Sequence, residues 1–149
     1  MKETFMLNKM KELVREKDTC VLATVGQGSP HCSLMAYVAD DGCSEIYMVT
    51  QKDSRKYRNL MENPRVSLLI DTREDHIGLE RPRAKALTIS AILRPMEDSI
   101  KIDAAREKLL AKHPLLSKFL NNPDAAILCI KIDSFLLLDG LTDAYFEKL

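Results

Sequence analysis

The chain has no tryptophan, and aromatic residues make up only 5% of it. That leaves few flat side chains on which unstacked bases could lie, as single-strand nucleic-acid binders need. Excess charge is missing as well: 22 Lys and Arg balance 22 Asp and Glu. A chain of zero net charge has no overall basic field with which to gather a polyanion, so a nucleic-acid role is disfavoured. Long apolar runs are also absent. From Met1 to Cys20, Lys, Glu and Arg interrupt the apolar positions, unlike the core of a signal peptide. Leu136-Leu137-Leu138, after Phe135, is far too short to span a bilayer. The expectation is a cytoplasmic protein without a membrane partner.

The four cysteines, Cys20, Cys32, Cys43 and Cys129, include no C-x-x-C pair. Buried free thiols in a reducing compartment are expected, rather than disulfides or metal ligands. His31, His76 and His113 are dispersed, with no two at ligand spacing, so no metal site is expected. No G-x-G-x-x-G or Walker-type loop occurs, which removes the usual nucleotide cradles. No nucleophile stands beside a base, which disfavours hydrolysis.

What the sequence does contain is regular alternation. At 149 residues the chain is expected to be a single domain. Leu7, Met10, Leu13 and Val14 recur at helical spacing, predicting an amphipathic helix over residues 4–17. Strands are predicted at 20–25, 30–39 and 44–50, separated by Gly26-Gln27-Gly28 and Asp40-Asp41-Gly42 turns. A helix at 54–63 ends before Pro64 and leads to a strand at 65–71. Residues 72–83 read as a polar loop, followed by a strand at 84–93 with Leu87, Ile89, Ala91 and Leu93 on one face. Asp98 or Ser99 can cap a helix reaching Lys112, Pro114 breaks it, and a short helix follows at 115–121. The last strand signal covers 126–133 and can continue to Leu138, leaving a tail beyond Gly140 as an edge or partner-docking segment. Six strands in antiparallel hairpins with helices between them predict a mainly β, α+β fold: a six-stranded antiparallel β-barrel with peripheral helices.

One local feature carries chemistry. The helix starting at Asp53-Ser54, either of which can be the N-cap, opens with Arg55, Lys56 and Arg58 and no acid through residue 59. A helix start carries about half a positive charge, so each exposed cation there costs about 0.3–1 kcal/mol. An anion at that point reverses the sign, because free N–H groups, the Ser54 hydroxyl and the cations would converge on it. A phosphate fits best.

The stretch Leu22 to Asp71, with its Leu-Ala-Thr hairpin opening and the spaced residues Thr50, Ser54, Arg55, Lys56, Asn59, Leu60, Asn63, Pro64 and Val66, resembles the pyridoxamine 5'-phosphate oxidase-like flavin-binding split barrels. The resemblance implies a six-stranded split barrel that forms a homodimer with two FMN sites at the interface. It implies that Arg55 and Lys56 hold the FMN phosphate, with Ser54 adding a hydroxyl. Ser33, Leu34, Met35 and Ala36 would run beside the isoalloxazine ring, Val49 and Thr50 would border it, and Lys85 would reach it from the second subunit. His31, Arg83 and Lys85 become candidates for tuning the pyrimidine end of the ring.

The vitamin-forming oxidases open and close the second strand with basic residues, where this chain has Cys32-Ser33 and Tyr37-Val38. They end in a Trp- and Arg-rich segment, where this tail reads GLTDAYFEKL. These departures argue against pyridoxamine 5'-phosphate oxidation itself. The resemblance therefore implies a flavoprotein oxidoreductase passing hydride or electrons between a reductant and a small acceptor, with no catalytic residue assigned. A non-catalytic flavin carrier or redox sensor is the alternative. Relatives of this barrel also bind deazaflavin or haem, for which His113 would be the axial candidate, although a histidine before Pro114 reads first as an ordinary helix end.

Overall fold

The computed structural model describes residues 3–149, and its eight strand segments form a single antiparallel sheet. Helix α1 (Phe5–Glu16) starts where the Thr4 hydroxyl accepts the Leu7 N–H at 3.0 Å, and it buries Met10, Leu13 and Val14. Strands β1 (Thr19–Gly26) and β2 (Ser29–Ala36) follow. Gln27 and Gly28, at φ 54° and 73°, turn between them. Two left-handed residues in a two-residue loop match the twist of a hairpin, and glycine takes that conformation without strain. Then come β3 (Val38–Ala39), β4 (Glu45–Gln51), α2 (Arg55–Glu62), β5 (Arg65–Asp71) and β6 (Lys85–Arg94). Helices α3 (Ser99–Lys112) and α4 (Ser117–Leu120), strand β7 (Ala125–Asp139) and strand β8 (Asp143–Lys148) complete the chain.

The strand order is β2-β1-β5-β6-β7-β4-β3, with β8 paired to the second half of β7. Strands β2 and β3 thus stand at opposite ends of this order, yet only Tyr37 separates them in the chain. The sheet must curl until its two ends meet, and a covalent link rather than a ladder of hydrogen bonds joins them. This is a split barrel. Inward-facing Leu22, Ile46, Met48, Leu68, Leu87, Ile89, Ile130 and Phe135 fill it, and α1 covers one opening.

Here the structure departs from the continuous strand expected over 30–39. Tyr37 is fully buried: its hydroxyl donates to the Val14 carbonyl at 2.5 Å and its N–H to the Asp18 carbonyl at 3.0 Å. These bonds pull the residue beneath α1 and break the strand in two. The tail beyond Gly140 becomes edge strand β8, so the barrel exceeds the six strands expected. Cysteines 20, 43 and 129 are buried free thiols, but Cys32 is exposed, because alternation along β2 turns it outward. No helix among the described residues is long and apolar enough to cross a membrane.

Candidate functional site

The motif at α2 separates into residues that build the barrel and residues that do not. Ser54 is the N-cap: its hydroxyl accepts the Tyr57 N–H at 3.2 Å and donates to the Gln51 carbonyl at 2.7 Å. Thr50, buried, lies 3.2 Å from the same hydroxyl. Asn59 donates through Nδ2 to Thr24 Oγ1 at 3.1 Å, tying α2 to β1 inside the barrel. Leu60 and Val66 are core residues, and the Asn63 side chain accepts the Arg65 N–H at 3.1 Å to turn the chain after α2. All these positions are occupied with the fold.

Arg55 and Lys56 are not. The first turn of α2 contains no acid. Among the described residues, neither cation has a carboxylate within 4.0 Å. Lys56 is half-buried, and among the described residues its Nζ meets only the Met35 sulfur, at 3.2 Å. A thioether is a weak acceptor. Burial therefore holds the Lys56 ammonium below the ordinary lysine range with no anion to offset it. The N–H groups of Arg55 and Lys56, being first in the helix, have no intrahelical partner.

Beside this helix start lies a cleft of about 170 Å³ lined by Leu34, Met35, Ala36, Val49, Thr50 and Lys56, with Leu116 and Phe119 opposite. Six of the ten residues singled out in the sequence thus share one cleft. Ser54 joins it through Thr50, and Arg55 sits exposed at the helix start. Ser33 is placed one residue before Leu34, opposite Leu22. Within one chain Lys85 is elsewhere, lining a cleft against α1 with Glu12 and Asp139. Arg83 pairs with Glu80 at 3.3 Å on an exposed turn, and His31 sits on β2 opposite Thr24.

The family model described as pyridoxamine 5'-phosphate oxidase matches residues 6–139. The chain belongs to that family. Among solved structures, a heme binding protein from Mycobacterium smegmatis superposes with a TM-score of 0.86 at 15% identity, over 99% of this chain and 60% of that one. ChuZ from Campylobacter jejuni gives 0.83 at 15% identity, over 99% and 61%. A FAD-binding protein from Mesorhizobium loti gives 0.70 at 15% identity, over 91% and 94%. The chain thus spans about three fifths of the length of the first two. At such identities the likeness is one of fold. No curated protein matches the sequence.

Within this pyridoxamine 5'-phosphate oxidase family chain, two parts of the site have no local signal in the sequence. Leu116 and Phe119 reach the cleft from the helical segment after Pro114, and only the tertiary fold brings them there. His113 caps α3, and its Nε2 lies 2.8 Å from the Tyr37 carbonyl. A carbonyl only accepts, so that ring nitrogen carries the proton and cannot coordinate a metal.

Proposed function

We propose that the protein binds FMN and acts as an oxidoreductase on a small-molecule acceptor, working as a homodimer. The observation that carries this is the pair Arg55 and Lys56, without carboxylate partners at an acid-free helix start beside the Leu34–Ala36, Val49, Thr50 cleft. Two cations and two free N–H groups make a donor set for a phosphate dianion, whereas the Ser54 hydroxyl expected to join them already gives its proton to the Gln51 carbonyl. When bound, the flavin supplies the hydride or electron transfer, and the protein contributes position and electrostatics. The backbone of β2 and the side chains of Val49 and Thr50 would border the ring. Leu116 and Phe119 would exclude water from its exposed side.

Small-molecule sites usually occupy about 300–1,000 Å³, and the cleft of one chain is smaller, about 170 Å³. One protomer therefore offers half a site. A candidate for the other half adjoins it. The outward face of the sheet bears a row in register across six strands: Leu34, Val21, Leu69, Thr88, Leu136 and Phe146. Leu34 is 76% exposed and Phe146 63%, and nothing among the described residues covers them. An uncovered apolar band of this kind would suit a protein interface. Leu34 belongs both to this row and to the cleft, so a second copy on the row would wall the cofactor. Replacing Leu136 and Phe146 together with Asp, away from the cleft, should yield a monomer by sedimentation and weaken FMN although Arg55 and Lys56 remain. A monomer with wild-type FMN affinity would refute the shared site.

Titration of the apo-protein with FMN, followed by absorbance and by mass identification of any extracted chromophore, tests the cofactor. A tightly held haem, or no flavin binding, would overturn it. Turnover of a reduced nicotinamide with an acceptor supports the enzyme, whereas tight flavin binding without turnover makes the protein a carrier. The affinity should also depend on pH. A phosphate favours charged Lys56, so FMN binds best below that group's pKa in the free protein and weakens as pH rises through it. Because burial lowers that pKa, the weakening should begin at lower pH than for a solvated lysine. Lys56→Arg, charged throughout, should flatten the profile.

A further inference from the structure

A second cleft, of about 350 Å³, lies between α2, the end of β6, α3 and the β4–β7 pair. It is the roomier of the two, and Val49 forms part of both their walls. Its floor is aliphatic, with Val49, Leu120 and Ile127, and Met61 and Met96 flank it. Methionines are adaptable contacts for apolar ligands. Its charge is of one sign: Lys52, Arg94 and Arg106 line it and no Asp or Glu does. Among the described residues, Lys52 and Arg94 have no carboxylate within 4.0 Å.

Arg106 is the informative one. Its Nη1 meets Asp103 at 3.2 Å on the outer side of α3, but its Nε is shielded from solvent and has no acceptor among the described residues. The Arg106 side chain as a whole is 40% exposed, so the unmet group is this one shielded N–H, and a shielded donor without a partner calls for an explanation. An oxygen anion entering this cleft would supply the missing acceptor at Nε and offset Lys52 and Arg94, which lack a carboxylate among the described residues, while the floor takes an apolar body.

We infer that this cleft binds a small apolar carboxylate, its acid group held by Arg106 with Lys52 and Arg94 and its hydrocarbon part against Val49, Leu120 and Ile127. The volume, at the small end of the range for ligand sites, suits a compact acid. This inference stands apart from the flavin proposal, because Arg106 does not line the cofactor cleft.

Octanoate and octylammonium, titrated into the isotopically labelled full-length protein and followed by amide NMR, test it. Octanoate should shift Val49, Ala126 and Ile127 saturably, and octylammonium should not. Arg106→Met keeps the apolar stem and removes the charge, and should weaken octanoate by about 10–150-fold, the loss of one charge-assisted contact. Arg106→Lys should retain more of the affinity than Arg106→Met, and the same spectra report whether each variant is folded. Equal binding of acid and amine would overturn the inference, as would unchanged octanoate affinity in folded Arg106→Met or no shifts in the cleft. FMN titration of the same variants keeps the two sites distinguishable: Arg106→Met should bind FMN as the wild type does.

Discussion

Replacing Arg55 with Ala, or Lys56 with Met, should weaken FMN by about 10–150-fold, since each removes a charge-assisted contact worth about 1.5–3 kcal/mol. The apo-protein should be no less stable for either change. Arg55 is exposed without a carboxylate partner, so little in the fold depends on its charge. Lys56 is partly desolvated with only a thioether beside its ammonium, so folding disfavours its charged form. Methionine fills similar space beside Met35 without that burden. Intact or raised apo stability together with lost cofactor affinity is the signature of residues kept for a ligand. Parallel titration calorimetry and thermal melts of the apo variants check both halves. Wild-type FMN affinity in both variants would remove the phosphate assignment, and a large loss of apo stability would make the cations architectural instead.

Helix α2 shows why some of this was legible in advance. The conflict between three cations and a helix start is local and visible in any sequence that places its N-cap correctly; in three dimensions it persists for Arg55 and Lys56, while Arg58 donates to the Asp53 carbonyl at 3.0 Å. The strand pattern was legible for the same reason, since alternation at period two reflects one buried face. What failed to show depends on distant partners. Residues 30–39 read as one strand because Tyr37 is as apolar as its neighbours, and only the Val14 and Asp18 carbonyls reveal the break. Strand β8 has little alternation to find, being exposed almost throughout. Leu116 and Phe119 come to the cleft from a segment about 60 residues beyond α2. Lys85 lines a cleft against α1, away from the start of α2, and no local signal in the sequence separates the two. The motif itself carried mixed information: Thr50, Ser54, Asn59, Leu60, Asn63 and Val66 sit in it for the barrel, Pro64 follows the end of α2, and Arg55 and Lys56 are left over.

Because Asn59 holds the helix that presents those two cations, the largest stability effect is expected opposite it. A methyl group at Gly26 would stand 1.9 Å from Asn59 Oδ1 and 2.6 Å from Cγ, so Gly26→Ala must displace the amide. Asn59 and Thr24 are both buried, and rotation breaks their 3.1 Å hydrogen bond. Leaving buried polar groups unsatisfied costs about 1–3 kcal/mol each, against about 0.4–1 kcal/mol gained by stiffening the unfolded chain. The loss wins, at about 2–4 kcal/mol net, lowering the melting temperature by about 4–16 °C for a domain of this size. Asn59→Ala should cost about 1–3 kcal/mol through Thr24 alone. The double variant decides the mechanism: with the amide gone there is little for the new methyl to strike, so Gly26→Ala/Asn59→Ala should be no less stable than Asn59→Ala. Chemical denaturation of the four proteins measures this coupling, and strictly additive losses would show that Gly26 is kept for some reason other than the approach of Asn59. Lys56 lies one turn before Asn59 on α2, so Gly26→Ala should also loosen FMN, whereas Gly28→Ala, with open space around its Cβ, should not.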